Sequence, residues 1–429
     1  MTSKLAVAIV VGGGPAPGIN GVISAATIEA INRGYKVYGV MNGFEDIMKG
    51  DKSNVRELTL DDVTQISREG GSILCTSRAN PKKSKEALEN VVKVLKELRV
   101  GYLVTIGGDD TASSSGAVAS MANGEIKVAH VPKTIDNDLP LPPSEFTFGF
   151  QTAKEVGSEI VETLQTEAAT TKRWCLVIAM GRTAGHLALG IGTSVSATLT
   201  IIPEEFKEGD VPLSKIVDLI SATILKRKAL GKGFGTVVIA EGLIEKIDHS
   251  TIPDIDKVGR DPHGHLIYAD IDLGKILKDA VLKRLQQFGV KVTITEKNVG
   301  YELRCARPIS FDREYTLLLG YGAVNFLLAG GTNAMISKQG RKIVPIPFEN
   351  FVNPATGKAQ VRLVNTQTET FVVAQKYMCK LTKEDLDNQE LMSKIAGFSN
   401  SEVAFIQKEL GDVAVDVTLY SADSIDDEL

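Results

Sequence analysis

Two short acidic strings hold the residues best suited to chemistry in this chain: Gly107-Gly108-Asp109-Asp110-Thr111 and Pro132-Lys133-Thr134-Ile135-Asp136-Asn137-Asp138. Each ends an apolar run of β character, Tyr102 to Ile106 before the first and Ile126 to Val131 before the second. Carboxylates gathered where parallel strands end suit phosphoryl transfer, which needs oxygen ligands for Mg²⁺ and a base for a hydroxyl proton. Lys133 lies between the acidic sets and could face a phosphate. In the second string one of Asp136 and Asp138 could accept a substrate proton while the other orients or holds metal. The purely structural alternative is a turn rich in Asp and Asn ahead of Pro140, but Lys133 and Thr134 add a phosphate-binding element that a turn does not need. In the first string Asp110 or Thr111 could simply cap a helix; capping uses one Asp and gives no reason for two.

The elements that must position these residues follow from hydrophobic periodicity. Strands are expected near 5–11, 36–41, 102–106, 126–131, 174–180, 198–202, 236–241 and 291–295. Helices are expected near 19–32, 84–98, 111–121, 150–167, 183–194, 213–228, 274–288 and 312–329. The alternation predicts an α/β fold of two Rossmann-like three-layer lobes with mainly parallel sheets. Gly12-Gly13-Gly14, Gly107-Gly108-Asp109-Asp110, Pro132-Lys133-Thr134, Met180-Gly181-Arg182, Pro203-Glu204-Glu205 and Ala240-Glu241-Gly242 all close a strand run. Ligands of open α/β sheets bind beyond the carboxyl ends of the strands, so these clusters predict one cleft there. The string Gly12 to Asn20 fits neither the Rossmann nor the Walker A glycine pattern. It could cradle an anion on backbone N–H groups at a helix N-terminus or could be a tight structural turn.

Bulk properties narrow the function classes. At 429 residues the chain exceeds one ordinary core, which predicts two lobes. A net charge of −5 gives no electrostatic footprint for nucleic acid or an anionic membrane surface. Cys75, Cys175, Cys305 and Cys379 are scattered without metal spacing and read as reduced thiols. No apolar run is long enough for a signal peptide or a membrane span, and the chain is expected in the cytoplasm. His263-Gly264-His265 reads as a solvated loop rather than a metal site. Thr382 to Ile395 is expected to form a capped helix, and the acidic stretch Asp423 to Glu428 a frayed end.

The joint pattern resembles the phosphofructokinase family. Gly13-Gly14 with Ala16-Pro17-Gly18, Gly107-Gly108-Asp109, Thr134 to Asp138, Met180-Gly181-Arg182, Pro203-Glu204, Ala240-Glu241-Gly242 and Tyr301-Glu302-Leu303-Arg304 with Pro308 and Asp312 occur in that family's order. The resemblance spans roughly residues 5 to 335. It implies lobes of 1–148 for the phosphoryl donor and 149–300 for fructose 6-phosphate, with 301–429 returning to both lobes and adding an extension. It also implies that Asp136 is the base for the C1 hydroxyl of fructose 6-phosphate and Asp109 the Mg²⁺ residue. Asp110 and Lys133 complete the catalytic set. Gly13, Gly14, Arg78, Asp110, Thr111 and Lys133 would bind the donor. Thr134, Ile135, Asp136, Asp138, Met180, Gly181, Arg182, Glu241, Tyr301, Glu302, Leu303 and Arg304 would bind the sugar phosphate. Arg173 matches an arginine lent by a neighbouring subunit, which implies a homodimer or homotetramer with a shared site. Tyr301 stands where allosteric bacterial members have His. Thr295 stands about where they have a second lent arginine, leaving Lys291 and Lys297 as possible substitutes.

Donor choice turns on Asp110 and Lys133. ATP-using members typically have Gly at the first position and often at the second, whereas the pyrophosphate-dependent branch carries Asp and Lys. A carboxylate where an α-phosphate would lie repels it: like charges 4 Å apart cost about 4 kcal/mol at an effective dielectric of 20. The resemblance therefore implies reversible, Mg²⁺-dependent phosphorylation of fructose 6-phosphate by pyrophosphate, with an ATP-dependent 6-phosphofructokinase as the alternative. NAD and diacylglycerol kinases share only the glycine–aspartate string. A nicotinamide dehydrogenase would need the absent glycine fingerprint, and a non-catalytic homologue would be expected to have lost Asp136 or Asp109.

Overall fold

The computed structural model describes residues 5–206, 211–255, 259, 271–350, 360–399 and 401–416. It divides into two compact units, Met1–Val156 with Tyr301–Arg362, and Gly157–Gly300 with Leu363–Leu429. His263 to His265 and the acidic end Asp423 to Glu428 lie outside the described residues.

The first unit is built on a seven-stranded sheet. Its strands in chain order are β1 (Ala6–Val11), β2 (Val37–Val40), β3 (Val55–Leu58), β4 (Val100–Gly107) and β5 (Lys127–Pro132). The second unit adds β6 (Trp174–Ala179), β7 (Leu199–Ile201), β8 (Gly235–Ala240) and β9 (Ile294–Val299), before the chain supplies β10 (Ala334–Gln339) and β11 (Lys342–Pro347) to the first sheet. The order is β11-β10-β5-β4-β1-β2-β3 in the first sheet and β7-β8-β6-β9 in the second. Pairing is parallel throughout except at the two edges of the larger sheet, where β3 runs against β2 and β11 against β10. Both sheets are mainly parallel, as expected.

All of β1 is buried, which is why it reads as an unbroken apolar run. The pleat sends Val7, Ile9 and Val11 into a core shared with the helices Ile19–Asn32 and Ser310–Leu328. Ala6, Ala8 and Val10 point the other way, into a core that also holds Val91, Leu95 and Val118 of the helices Lys85–Glu97 and Asp109–Met121. In the second unit Leu176 and Ile178 share a core with the helices Leu213–Ala229 and Leu273–Gln287 and with Leu381, Leu391, Met392, Ile395 and Ile406 of the C-terminal region.

Parallel register sets the site end of each sheet. Val11 stands beside Ile106, and Gly107 beside Pro132, so the segments after β1, β4 and β5 leave the sheet together. Ala179 pairs with both Ala240 and Val299, which does the same for the segments after β6, β8 and β9.

Two expected elements differ. The strand placed at 291–295 is Ile294–Val299; β9 is an edge strand whose centre, Glu296-Lys297-Asn298, faces solvent, so the apolar run marks its approach rather than its body. The helix expected over Thr382 to Ile395 is two helices, Lys383–Asp387 and Gln389–Ser399, because Asn388 is extended between them. Its expected cap is real: Thr382 and Asp385 form a reciprocal capping box. The strands β3, β10 and β11 lie outside the ranges that periodicity marks as strands.

Candidate active site

In the first unit the glycine loop, the helix start after β4 and the turn after β5 converge. Gly13 has φ +81°, a left-handed conformation that glycine adopts without strain, and its N–H donates to the Ser77 carbonyl at 2.8 Å. That bond, with a bridge between Gly12 and Ser77, delivers the exposed Arg78 beside the glycine loop. Thr111 is buried against the loop: a Cβ on Gly12 would lie 2.4 Å from its hydroxyl, and one on Gly107 2.3 Å from its Cβ. The helix following β4 starts at Asp109 with Gly108 as its N-cap and no side-chain capping bond. Asp109 and Asp110 are therefore exposed residues of the first turn, and neither Asp110 nor Thr111 caps it.

Lys133 is 4% exposed, and its ammonium donates to the Gly14 carbonyl. Its backbone N–H continues the sheet, donating to the Gly107 carbonyl at 2.8 Å. Burial brings its pKa down to about 8, with the Arg304 charge acting in the same direction and the Asp136, Asp138 and Asp109 carboxylates opposing it. Arg304 reaches the same glycines: a Cβ on Gly14 would sit 3.5 Å from its guanidinium carbon, which also lies 5.2 Å from the Tyr301 ring centroid. Glu302 is exposed and Leu303 is buried beneath this short helix.

The Thr134 to Asp138 turn is pinned from several sides. The Asp136 N–H donates to the Thr134 hydroxyl at 3.0 Å, and Thr147 donates to the Thr134 carbonyl and, through its N–H, to Asn137 Oδ1. Ile135 is buried beneath it, while Asp136 and Asp138 are part-exposed. Burial pushes the Asp138 carboxyl up and the Asp109 charge adds to the rise, against hydrogen bonds from its own backbone and Thr134 and the Arg362 charge. Asp312, fully buried, closes the same region by accepting from the N–H groups of Gly149 and Thr152 at 2.9 and 2.8 Å.

Asp138 feels the charge of Asp109, and both offer hard oxygen donors. Among the described residues no set of three or more His, Cys, Asp or Glu forms a protein cage for a metal. Mg²⁺ needs none: it is usually held through one or two carboxylates plus phosphate oxygens and water. The donor chemistry at Asp109 fits that ion.

In the second unit Met180 continues β6, its N–H donating to the Val299 carbonyl at 2.9 Å. Gly181 has φ +151°, and its N–H points at Glu241 Oε2 at 3.4 Å. Arg182 is exposed next to this turn, where its charge opposes the effect of burial on the Glu245 carboxyl. Glu204 ties the neighbourhood together by accepting from the N–H groups of Gly185 and Val364 at 2.9 and 3.0 Å; burial raises its pKa despite those bonds. Arg173 does not join this group. It precedes β6 while Met180 follows it, which at the rise of a strand separates them by about 20 Å. Arg173 is exposed and pairs with Glu167 at 3.6 Å. Lys291 and Lys297 flank and enter β9.

The sequence reading missed Arg362. It lies in a tail without recognisable motifs, and only its position in three dimensions reveals it. Asp312 was visible within a motif, but its support of Gly149 and Thr152 depends on a contact 160 or more residues away.

Glycine loops, carboxylates and a buried lysine at the ends of parallel strands define a Rossmann-like α/β protein equipped for phosphorylated ligands. The chain belongs to the phosphofructokinase family, whose sequence profile matches residues 6–327. It is 52% identical over 389 residues to the pyrophosphate–fructose 6-phosphate 1-phosphotransferase of Thermotoga maritima, covering 90% of this chain and 93% of that one. The protein of the same name from Naegleria fowleri is 50% identical over 404 residues, covering 92% of each chain. The fold is shared with the pyrophosphate-dependent phosphofructokinase of Nitrosospira multiformis, at a TM-score of 0.67, 18% identity and 92% coverage of both chains.

Proposed function

We propose that this chain catalyses the reversible transfer of a phosphoryl group from pyrophosphate to the C1 hydroxyl of D-fructose 6-phosphate, giving fructose 1,6-bisphosphate and phosphate. The observation that carries this reading is the buried Lys133 ammonium on the Gly14 carbonyl, under the influence of Asp109, Asp136 and Asp138, in a chain half identical to relatives bearing that activity's name. Asp136 takes the hydroxyl proton, the freed oxygen attacks the terminal phosphorus, and the bond to the departing phosphate breaks. Lys133 balances charge on the leaving phosphate, Gly13, Gly14 and Arg78 hold the donor, and Asp110 keeps nucleotides out. Asp109 would hold Mg²⁺, which when bound would supply charge neutralisation for the phosphates. Thr134, Ile135, Asp138, Met180, Gly181, Arg182, Glu241, Tyr301, Glu302, Leu303 and Arg304 are the residues we assign to sugar-phosphate binding. The experiment is a donor comparison: fructose 6-phosphate and Mg²⁺ with pyrophosphate or with ATP. Turnover with ATP alone would overturn the reading.

The ionisation of Lys133 has a kinetic signature. Its side chain carries charge below about pH 8 and loses it above, so kcat/KM for pyrophosphate should fall as pH rises through that value. A bound phosphate favours the charged form, so the corresponding limb of kcat should lie higher. Rate profiles flat through pH 9 would remove Lys133 from the transition state.

The place of Arg173 supports a site shared between subunits of a homodimer or homotetramer. Its side chain starts at the far end of β6 from Met180, so an Arg173 acting on sugar phosphate would come from another copy. Mixing inactive Arg173→Ala and Asp136→Ala chains should then restore part of the activity in hybrids. No recovery after verified subunit exchange would argue against a shared site. All four cysteines are free thiols, which supports assignment to the cytoplasm.

A further inference from the structure

The strongest polar cluster outside the expected site residues is centred on Arg362, beyond the segment matched by the family profile. Its guanidinium donates from Nε and Nη2 to the Asn137 carbonyl at 3.1 and 3.0 Å, and from Nη2 to Asn137 Oδ1. Nη1 is directed at the carbonyls of Leu141, Pro142 and Glu145 at 3.2, 3.2 and 2.8 Å. Its backbone N–H donates to the Asp138 carbonyl at 2.8 Å. One residue of the tail therefore gathers the carbonyls of a turn that starts inside the acidic motif and ends at Glu145.

Asn137 stands between Asp136 and Asp138 with φ +56°, in the left-handed region. That conformation sets the directions in which the two flanking aspartates leave the backbone. It persists only if the surroundings hold it. Thr147 takes one bond to Asn137 Oδ1, and Arg362 takes the rest of that residue's acceptor capacity.

We infer that Arg362 is a positioning residue for phosphoryl transfer, fixing Asn137 so that Asp136 is held at the angle its proton transfer requires. The inference rests on the assignment of Asp136 as base. Arginine suits the task because a rigid planar fork can serve several carbonyls at once, which the point charge of lysine cannot. Displacing a reacting group by about 1 Å can cost on the order of 10²-fold in rate. The cost should appear in kcat and not in the KM for pyrophosphate, because these bonds of Arg362 go to the turn from Asn137 to Glu145 and not to Gly13, Gly14, Arg78, Asp110, Thr111 or Lys133, the residues expected to bind the donor.

The test compares kcat, KM for each substrate and thermal midpoint in wild type, Arg362→Lys, Asp136→Ala and the double variant of full-length protein. Arg362→Lys is expected to lower kcat by about 10- to 100-fold with KM for pyrophosphate within about twofold of wild type. In the Asp136→Ala background the same substitution should cost almost nothing further, since a misdirected base and an absent base are equivalent. A scaffold role would instead lower the midpoint and leave the two substitutions additive. Guanidinium at millimolar concentration should restore part of the kcat of Arg362→Ala. Folded Arg362→Lys with near-normal kcat, or additive losses in the double variant, would overturn the inference while leaving Asp136 as base. Near-normal turnover in Asp136→Ala would remove the site assignment and this inference with it.

Discussion

Replacing Asp136 by alanine should lower the rate of phosphoryl transfer by roughly 10²–10⁴-fold, the range for loss of a group that moves a proton in the transition state. The protein should remain folded. Asp136 is part-exposed, and its backbone N–H donates to the Thr134 hydroxyl, a bond that alanine retains. The bonds from Thr147 and Arg362 to the Thr134 carbonyl and to Asn137 also remain available in the variant. Steady-state rates in both directions, with circular dichroism to verify folding, measure the effect. Because the same group returns the proton in the reverse direction, both rates should fall together. A folded variant turning over at a rate close to wild type would assign the proton to another group.

Asp110→Gly should change which donor the enzyme accepts. Asp110 is an exposed first-turn residue directly after Asp109, and it makes no capping bond that would explain its presence. Its carboxylate repels an α-phosphate that must pass close by, at a cost of about 4 kcal/mol for charges 4 Å apart at an effective dielectric of 20, or roughly a thousandfold in binding. Removing it should make ATP a measurable donor while activity with pyrophosphate falls. The substitution costs helix stability through added backbone freedom and a lost charge at the helix N-terminus, together about 1 to 2 kcal/mol, which a folded domain of this size tolerates. The measurement is kcat/KM for each donor in wild type and variant. Lys133→Gly is the control: it should damage pyrophosphate use without admitting ATP, because the carboxylate remains. An unchanged donor ratio in Asp110→Gly would leave pyrophosphate as donor but remove this explanation of the choice.

Much of this protein was legible in its sequence because its central strands are buried on both faces. Runs such as Ala6–Val11 and Trp174–Ala179 are apolar at every position, and the glycines and acidic residues that follow such runs mark the strand ends. Those punctuation points also carry the chemistry, so fold class, family and most candidate residues could be read from one pattern. Edges and tails obey a weaker rule. The strand β9 keeps polar residues at its centre because solvent reaches it, and β3 and β11 pair on one side only, so local periodicity misplaced the first and passed over the others. What only the tertiary structure decided are the long-range supports. Arg362 reaches the turn at Asn137 from 225 positions along the chain, and Asp312 serves Gly149 from 163 positions away. It also decided that Arg173 and Met180, separated by a single strand, stand at its opposite ends. A sequence specifies local conformation through nearby residues, whereas a hydrogen bond between distant residues leaves no periodic trace and exists only once the cores have closed around it.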